Sequence, residues 1–193
     1  MNKPGRQRKV TCPYAVNLLL PAFWRVGNLM KKILVAAVLF CLFPLSAAYG
    51  WHGYVVKVLD GDSLRVKKGR EIIEIRLYGI DCPEWGQDYG NKSKQYLKAK
   101  INQKTVTVEP KDVDRYGRTV ALVSSSGRLM NRELVREGLA WMYPKYCKEQ
   151  PLCSELKKLE HKARAQRRGL WREKDPVSPW QWKWQKKKKA QRR

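Results

Sequence analysis

The chain has 193 residues, with 41 Lys or Arg against 17 Asp or Glu, for a net charge of +24. That length suits one domain with trimmings and argues against a multidomain assembly. The charge favours polyanionic partners, either nucleic acid or an anionic membrane surface, and is silent on fold.

The first 50 residues read as an address. Met30 to Gly50, M-K-K-I-L-V-A-A-V-L-F-C-L-F-P-L-S-A-A-Y-G, places two lysines before an apolar run and small residues after it. This is the shape of a secretory signal peptide, with cleavage after Ala48 or Gly50. The apolar run is short beside the roughly 20 residues of a membrane span, and an uncleaved inner-membrane anchor is the alternative. Residues 1–29 are basic, irregular and free of acids, so we read them as a mis-called extension with the functional start at Met30. N-terminal sequencing of the exported protein tests this. The expected location is therefore periplasmic or secreted. Residues 1–50 hold seven Lys or Arg and no acid, which leaves 34 basic against 17 acidic residues in 51–193. Most of the positive charge, a net of +17 from these 34 and 17, therefore lies outside the leader.

The mature chain opens with strand patterning. Tyr54 to Leu59 is rich in valine, Asp60-Gly61-Asp62 interrupts it, and Ser63 to Val66 resumes the alternation. Lys68-Gly69-Arg70 separates two β-prone runs and predicts a hairpin. Glu71 to Ile80 alternates isoleucine with charge until Pro83 stops it. Asn91 to Ile101 has helical spacing. Thr105 to Glu109 and Arg118 to Val123 read as strands. Leu129 to Leu139 and Leu152 to Gln166 read as helices, the second with Gly169 as a C-cap. Five short strands with about three helices predict an α+β, mainly β chain built on a five-stranded OB-type Greek-key barrel. An unrelated α+β sandwich is the rival, and periodicity does not choose between them.

Domain bounds follow: 51–175 for the barrel domain and 176–193 for a tail, P-V-S-P-W-Q-W-K-W-Q-K-K-K-K-A-Q-R-R. Residues 180–193 hold three tryptophans and seven basic residues without an acid. Such a segment can stack bases and neutralise phosphates, or sit on an anionic membrane. We expect Pro-Trp packing followed by a disordered basic end. Three cysteines remain beyond the leader. Cys147 and Cys153 bracket five residues, and in an oxidising compartment they are either a small disulfide loop or two free thiols. Cys82 is left as a small buried hydrophobe.

His52 and His161 are the only histidines, and no Cys/His cluster accompanies them, which argues against zinc. Asp60, Asp62, Asp81 and Glu84 lie near turns and offer oxygens that suit Ca²⁺ or Mg²⁺. D-G-D by itself reads as a polar turn. In R-L-Y-G-I-D-C-P-E, Pro83 stiffens the backbone, so Asp81 and Glu84 are held at a rigid strand end. One can ligate a cation and the other can deprotonate a water. Arg76 can fork onto a phosphate. In D-R-Y-G-R, Arg115, Tyr116 and Arg118 add phosphate contacts beside a turn at Gly117. Each segment alone has an ordinary structural explanation. Together, two arginines, a hard-cation site and a base are the parts needed to attack a phosphodiester.

D-G-D-S, R-L-Y-G-I-D-C-P-E and D-R-Y-G-R, in that order, resemble the thermonuclease (staphylococcal or micrococcal nuclease) family. N-R-E-L-V-R-E-G-L-A at 131–140 is similar to that family's helix after the barrel, and the resemblance spans about residues 52–172. It implies an OB-type barrel that hydrolyses DNA and RNA with Ca²⁺ and leaves 3′-phosphate ends. Carried over, Asp62, Asp81 and the carbonyl of Cys82 would ligate Ca²⁺, and Glu84 would be the general base. Arg76 and Arg118 would bind the scissile phosphate, while Arg115 and Tyr116 would contact the terminal one. Cysteine at 82 replaces the threonine of the family's best-known member, and the W-G-Q-D-Y-G loop is shorter. Tyr143 and Tyr146 fall near nucleotide-stacking positions with altered spacing. The resulting expectation is an exported, monomeric, Ca²⁺-dependent nuclease with DNA and RNA as substrates. No protein partner is implied, and the tail allows peripheral contact with an anionic membrane. The alternative is a basic OB-type module that binds nucleic acid without cutting it, and three carboxylates facing a polyanion argue against it.

Overall fold

The computed structural model describes residues 50–192. The extension expected at 1–29 and all but the last residue of the leader expected at 30–50 lie outside the described residues. Alternation of inward apolar and outward polar residues builds β1 (Trp51–Val58), β2 (Ser63–Lys68), β3 (Glu71–Leu77), β5 (Thr105–Val113) and β6 (Thr119–Ser125). They lie in the order β3-β2-β1-β5-β6, antiparallel at each step. A parallel pairing of β3 with β6, Arg76 opposite Val120, closes the sheet into a five-stranded OB-type barrel. Closure leaves no free edge among these five strands. The interior is filled by Val55, Leu64, Val66, Ile75, Val106 and Val123, all buried. Burying each such side chain stabilises the fold by roughly 1.5–3 kcal/mol before entropy is charged against it.

The run expected as one strand over Glu71 to Ile80 is two. β3 stops at Leu77, and the chain turns through Tyr78 and Gly79, whose φ is 73°. That left-handed value suits glycine, which has no Cβ to clash. The two-residue strand β4 (Ile80–Asp81) then leaves the barrel and pairs with β8 (Trp141–Met142), Asp81 opposite Trp141. The short β7 (Arg128–Leu129) extends β6.

Among the described residues there are four α-helices, where about three were expected. α1 (Gly90–Ile101) buries Leu97 and Ile101 four residues apart. α2 (Met130–Arg136) is shorter than the Leu129–Leu139 span expected, because Gly138 turns the chain with φ 65°. On α2 the fully buried Asn131 donates to the Tyr78 carbonyl at 2.9 Å and accepts from the Val123 N–H at 3.2 Å. One amide thus bolts the helix to β6 and to the turn between β3 and β4. α3 (Leu152–Ala165) buries Leu152, Leu156 and Ala163, and its first turn is tied back by a Cys147–Cys153 disulfide. Cys82 is free and buried.

The tail departs from expectation. Instead of a disordered basic end, Pro179–Gln191 forms helix α4. Gln181 Oε1 accepts from the Ser178 hydroxyl at 2.8 Å and from its N–H at 3.3 Å, and Pro179 supplies a preset first residue. Trp180 packs edge-on against Trp141, ring centroids 5.7 Å apart, beside Trp171 and Leu170. Local capping and one aromatic anchor outweigh the repulsion among the lysines. No described helix is long and apolar enough to cross a membrane.

Asn131→Ala orphans a buried N–H and a buried carbonyl. We expect it to destabilise the protein by about 2–3 kcal/mol in urea denaturation at an unchanged slope. A loss below about 0.5 kcal/mol would show that the amide does not join helix to barrel.

Candidate active site

The site begins in the turn between β1 and β2. The Asp62 N–H donates to Asp60 Oδ1 at 2.9 Å, so Asp60 shapes the turn and frees Asp62 to point inward. Gly61 is needed there: a Cβ would come within 2.7 Å of Cys82 Cβ and 2.8 Å of Ser93 Cβ. Asp62 is 6% exposed, and its Oδ2 accepts from the Cys82 N–H at 2.6 Å. Its Oδ1 accepts from the Ser63 hydroxyl at 3.3 Å. Cys82 therefore enters the site through its N–H. Burial pushes the Cys82 thiol well up, so sulfur offers no thiolate here.

Arg76, on β3, stands between two acids. Its Nη1 pairs with Asp62 Oδ1, and its Nη2 donates to Asp81 Oδ1 at 2.5 Å. Asp81 is 1% exposed, and its Oδ2 has no hydrogen-bond partner. Burial pushes the Asp81 carboxyl up, and the charges of Arg76 and Lys183 pull it back only in part. Two buried carboxylates sharing one guanidinium form an electron-rich, under-compensated cluster.

Glu84 stands at the rim. Its N–H donates to Gln87 Oε1 at 3.0 Å, and its carbonyl accepts from the Gln87 N–H at 3.0 Å. The first residue of α1, Gly90, approaches that carbonyl so closely that a Cβ would lie 2.2 Å from it. The loop is thereby pinned while the carboxylate stays accessible. Lys183, from α4, reaches it: Nζ lies 2.9 Å from Glu84 Oε1 and 3.6 Å from Asp81 Oδ2. Sequence reasoning missed this residue, because nothing local separates Lys183 from the other lysines of the tail.

Arg118 opens β6 from the other side. Asp114 Oδ2 accepts from its Nε at 2.8 Å, and its Nη1 lies 3.4 Å from Ser63 Oγ, which links it to Asp62. Desolvation works to raise the Asp114 carboxyl, but hydrogen bonds from Arg118 and the Tyr116 N–H outweigh it and hold it below its ordinary value. Arg115 and Tyr116 lie outside this cluster on the exposed turn, with Arg115 Nη2 donating to the Tyr116 hydroxyl at 2.7 Å. Tyr116, Gly117, Arg118 and Glu74 line an open cavity of about 330 Å³. Tyr143 and Tyr146 meet edge to face at 4.9 Å, and Trp180 stacks on Tyr143 at 4.8 Å with planes 6° apart.

Among the described residues no three His, Cys, Asp or Glu side chains form a metal cluster. What the site offers is the Asp62 and Asp81 carboxylates, one with an orphaned buried oxygen. Oxygen donors of this kind fit a hard cation that completes its shell with water or phosphate oxygens.

The family model described as Staphylococcal nuclease homologue matches residues 74–173. An "Uncharacterized endonuclease" of Escherichia coli O157:H7 is 41% identical over 158 residues, covering 81% of this chain and 100% of that protein. A "Micrococcal nuclease" of Shigella flexneri is 37% identical over 158 residues, covering 77% and 90%. An "Uncharacterized endonuclease" of Haemophilus influenzae is 38% identical over 160 residues, covering 81% and 88%. With its closed barrel and a match over more than half its length, the chain belongs to the staphylococcal nuclease homologue family.

Proposed function

We propose that this protein is an exported Ca²⁺-dependent nuclease that cuts DNA and RNA with little sequence preference and leaves 3′-phosphate ends. Family membership makes it a thermonuclease-like hydrolase of phosphodiester bonds. The observation that carries the finer reading is the Asp62–Arg76–Asp81 cluster, with Glu84 at its rim and Arg118 joined through Ser63. A polyanion binder gains nothing from carboxylates buried at its binding surface, since each repels phosphate.

The roles follow from chemistry. Asp62, Asp81 and the backbone carbonyl of Cys82 would hold the cation, which would supply positive charge to the phosphoryl oxygens when bound. Arg76 and Arg118 receive the phosphate from two sides, each already oriented by a carboxylate. As negative charge grows on the phosphoryl oxygens, fixed guanidinium donors stabilise it without reorganising. Glu84 takes a proton from the attacking water. The water oxygen bonds to phosphorus, the bond to the 5′ oxygen breaks, and that oxygen leaves with a proton from solvent. Arg115 and Tyr116 contact a neighbouring phosphate at the open cavity. We further read the protein as a monomer, with residues 1–29 an extension, 30–50 a signal segment, 51–175 the nuclease domain and 176–193 a basic tail. Flotation with anionic vesicles tests whether that tail also touches membranes.

Cleavage of a fluorescent single-stranded DNA tests the reading. With Ca²⁺ present we expect cutting that a chelator abolishes, and product ends that a phosphatase can trim. Glu84→Gln should keep the DNA affinity and lower kcat by about 10²–10⁴-fold. Tight binding without cleavage under any divalent ion would hand the site to the non-catalytic alternative.

Arg118→Ala should lower kcat/KM by at least about a hundredfold with little loss of stability. Arg76→Ala should also cost about 3–5 kcal/mol of stability, because it leaves two buried carboxylates without their cation. Thermal melts beside single-turnover rates separate the two effects. Equal melting temperatures for both variants would contradict the buried clamp.

A further inference from the structure

Helix α4 does more than extend the basic surface, because it reaches into the site. Lys183 Nζ sits 2.9 Å from Glu84 Oε1 and 3.6 Å from the orphaned Oδ2 of Asp81. One turn earlier, Trp180 lies flat on Tyr143, with planes 6° apart and centroids 4.8 Å. Just before the helix, the Val177 carbonyl accepts from Gln87 Nε2 at 2.6 Å, on the same loop that pins Glu84. We infer that the C-terminal helix is a tethered occupant of the active site, with the Lys183 ammonium standing where a cation would bind and the Trp180 indole anchoring the helix on Tyr143. This inference rests on the Ca²⁺ reading above.

Three features make the contact an inhibitory one rather than a permanent part of the wall. First, an ammonium within hydrogen-bonding reach of Glu84 competes with a water for the same carboxylate oxygen. Second, two cations cannot share Asp81 Oδ2: a divalent ion there and a lysine 3.6 Å away repel each other strongly. Third, the contact is built to yield. Lys183 is 48% exposed, and exposed ion pairs are weak. The helix is rooted at its amino end by Pro179 and Trp180, whereas Trp184 is 61% exposed and Lys186 to Lys189 stand in solvent. The free end carries the charge that a polyanion would attract. Nucleic acid that binds the lysines and a divalent ion that binds the acids would therefore lift Lys183 together.

Calorimetric Ca²⁺ binding by the full chain tests this without relying on activity. Lys183→Met keeps the stem and removes the charge, and Lys186→Met, on an exposed stretch, is the control. We expect Lys183→Met to bind Ca²⁺ about tenfold or more tighter than the parent, and Lys186→Met to match the parent. Adding Ca²⁺ to the parent should also speed amide hydrogen exchange across residues 181–191 and leave the barrel strands unchanged. Equal or weaker Ca²⁺ binding by Lys183→Met, with measurable binding by the parent, overturns the inhibitory contact and leaves the nuclease reading intact. If neither protein binds Ca²⁺, the cation reading falls and this inference falls with it.

Discussion

The structure turns on one guanidinium. Arg76 holds Asp62 and Asp81 together although both are buried and burial disfavours their charge. Remove that arginine and the loop after β1 and the strand β4 lose their shared partner. Because the acids arrive from different segments, the fold must bring three chain stretches to one point before any chemistry is available. The barrel does this through its register. Ser63 pairs with Arg76 on adjacent strands, and the Leu77 N–H donates to the Asp62 carbonyl at 2.8 Å, so the backbone ladder sets the spacing that the side chains then use.

The second constraint is the escape of β4 from the barrel. A strand that continued straight from β3 would alternate its side chains between core and solvent. Turning at Gly79 and pairing with β8 instead places Asp81 opposite Trp141. Asp81 is 1% exposed there, and its partner Trp141 packs with Trp171 and Trp180. The same cluster roots α4 and so brings the tail to the site. Asn131, one helix away, holds the turn at Tyr78 that makes the escape possible.

Much was legible in the sequence. Strand alternation and turn residues located the five barrel strands, and helical spacing located α1 to α3. Short motifs named Asp62, Arg76, Asp81, Glu84 and Arg118, and these lie in or around one cluster. Arg115 and Tyr116 stand apart on their turn. Other features stayed hidden. The break at Leu77 is invisible to periodicity, because Ile80 keeps the apolar pattern running. The order of α4 was masked by its lysines, whose composition reads as disorder until Ser178 and Gln181 cap the helix and Trp180 finds an apolar wall.

What the sequence determined alone was the inventory: an excess of positive charge, a barrel-forming pattern, and carboxylates and arginines at turn positions. Those depend on residue type and near spacing, which a linear string displays. What only the tertiary structure decided was which charges neutralise which. Arg76 could have paired at the surface, and Lys183 lies about a hundred residues from the acids it meets. Partners at such separation are chosen by strand register, a two-residue strand and a tryptophan contact. No local rule records a choice made by long-range packing.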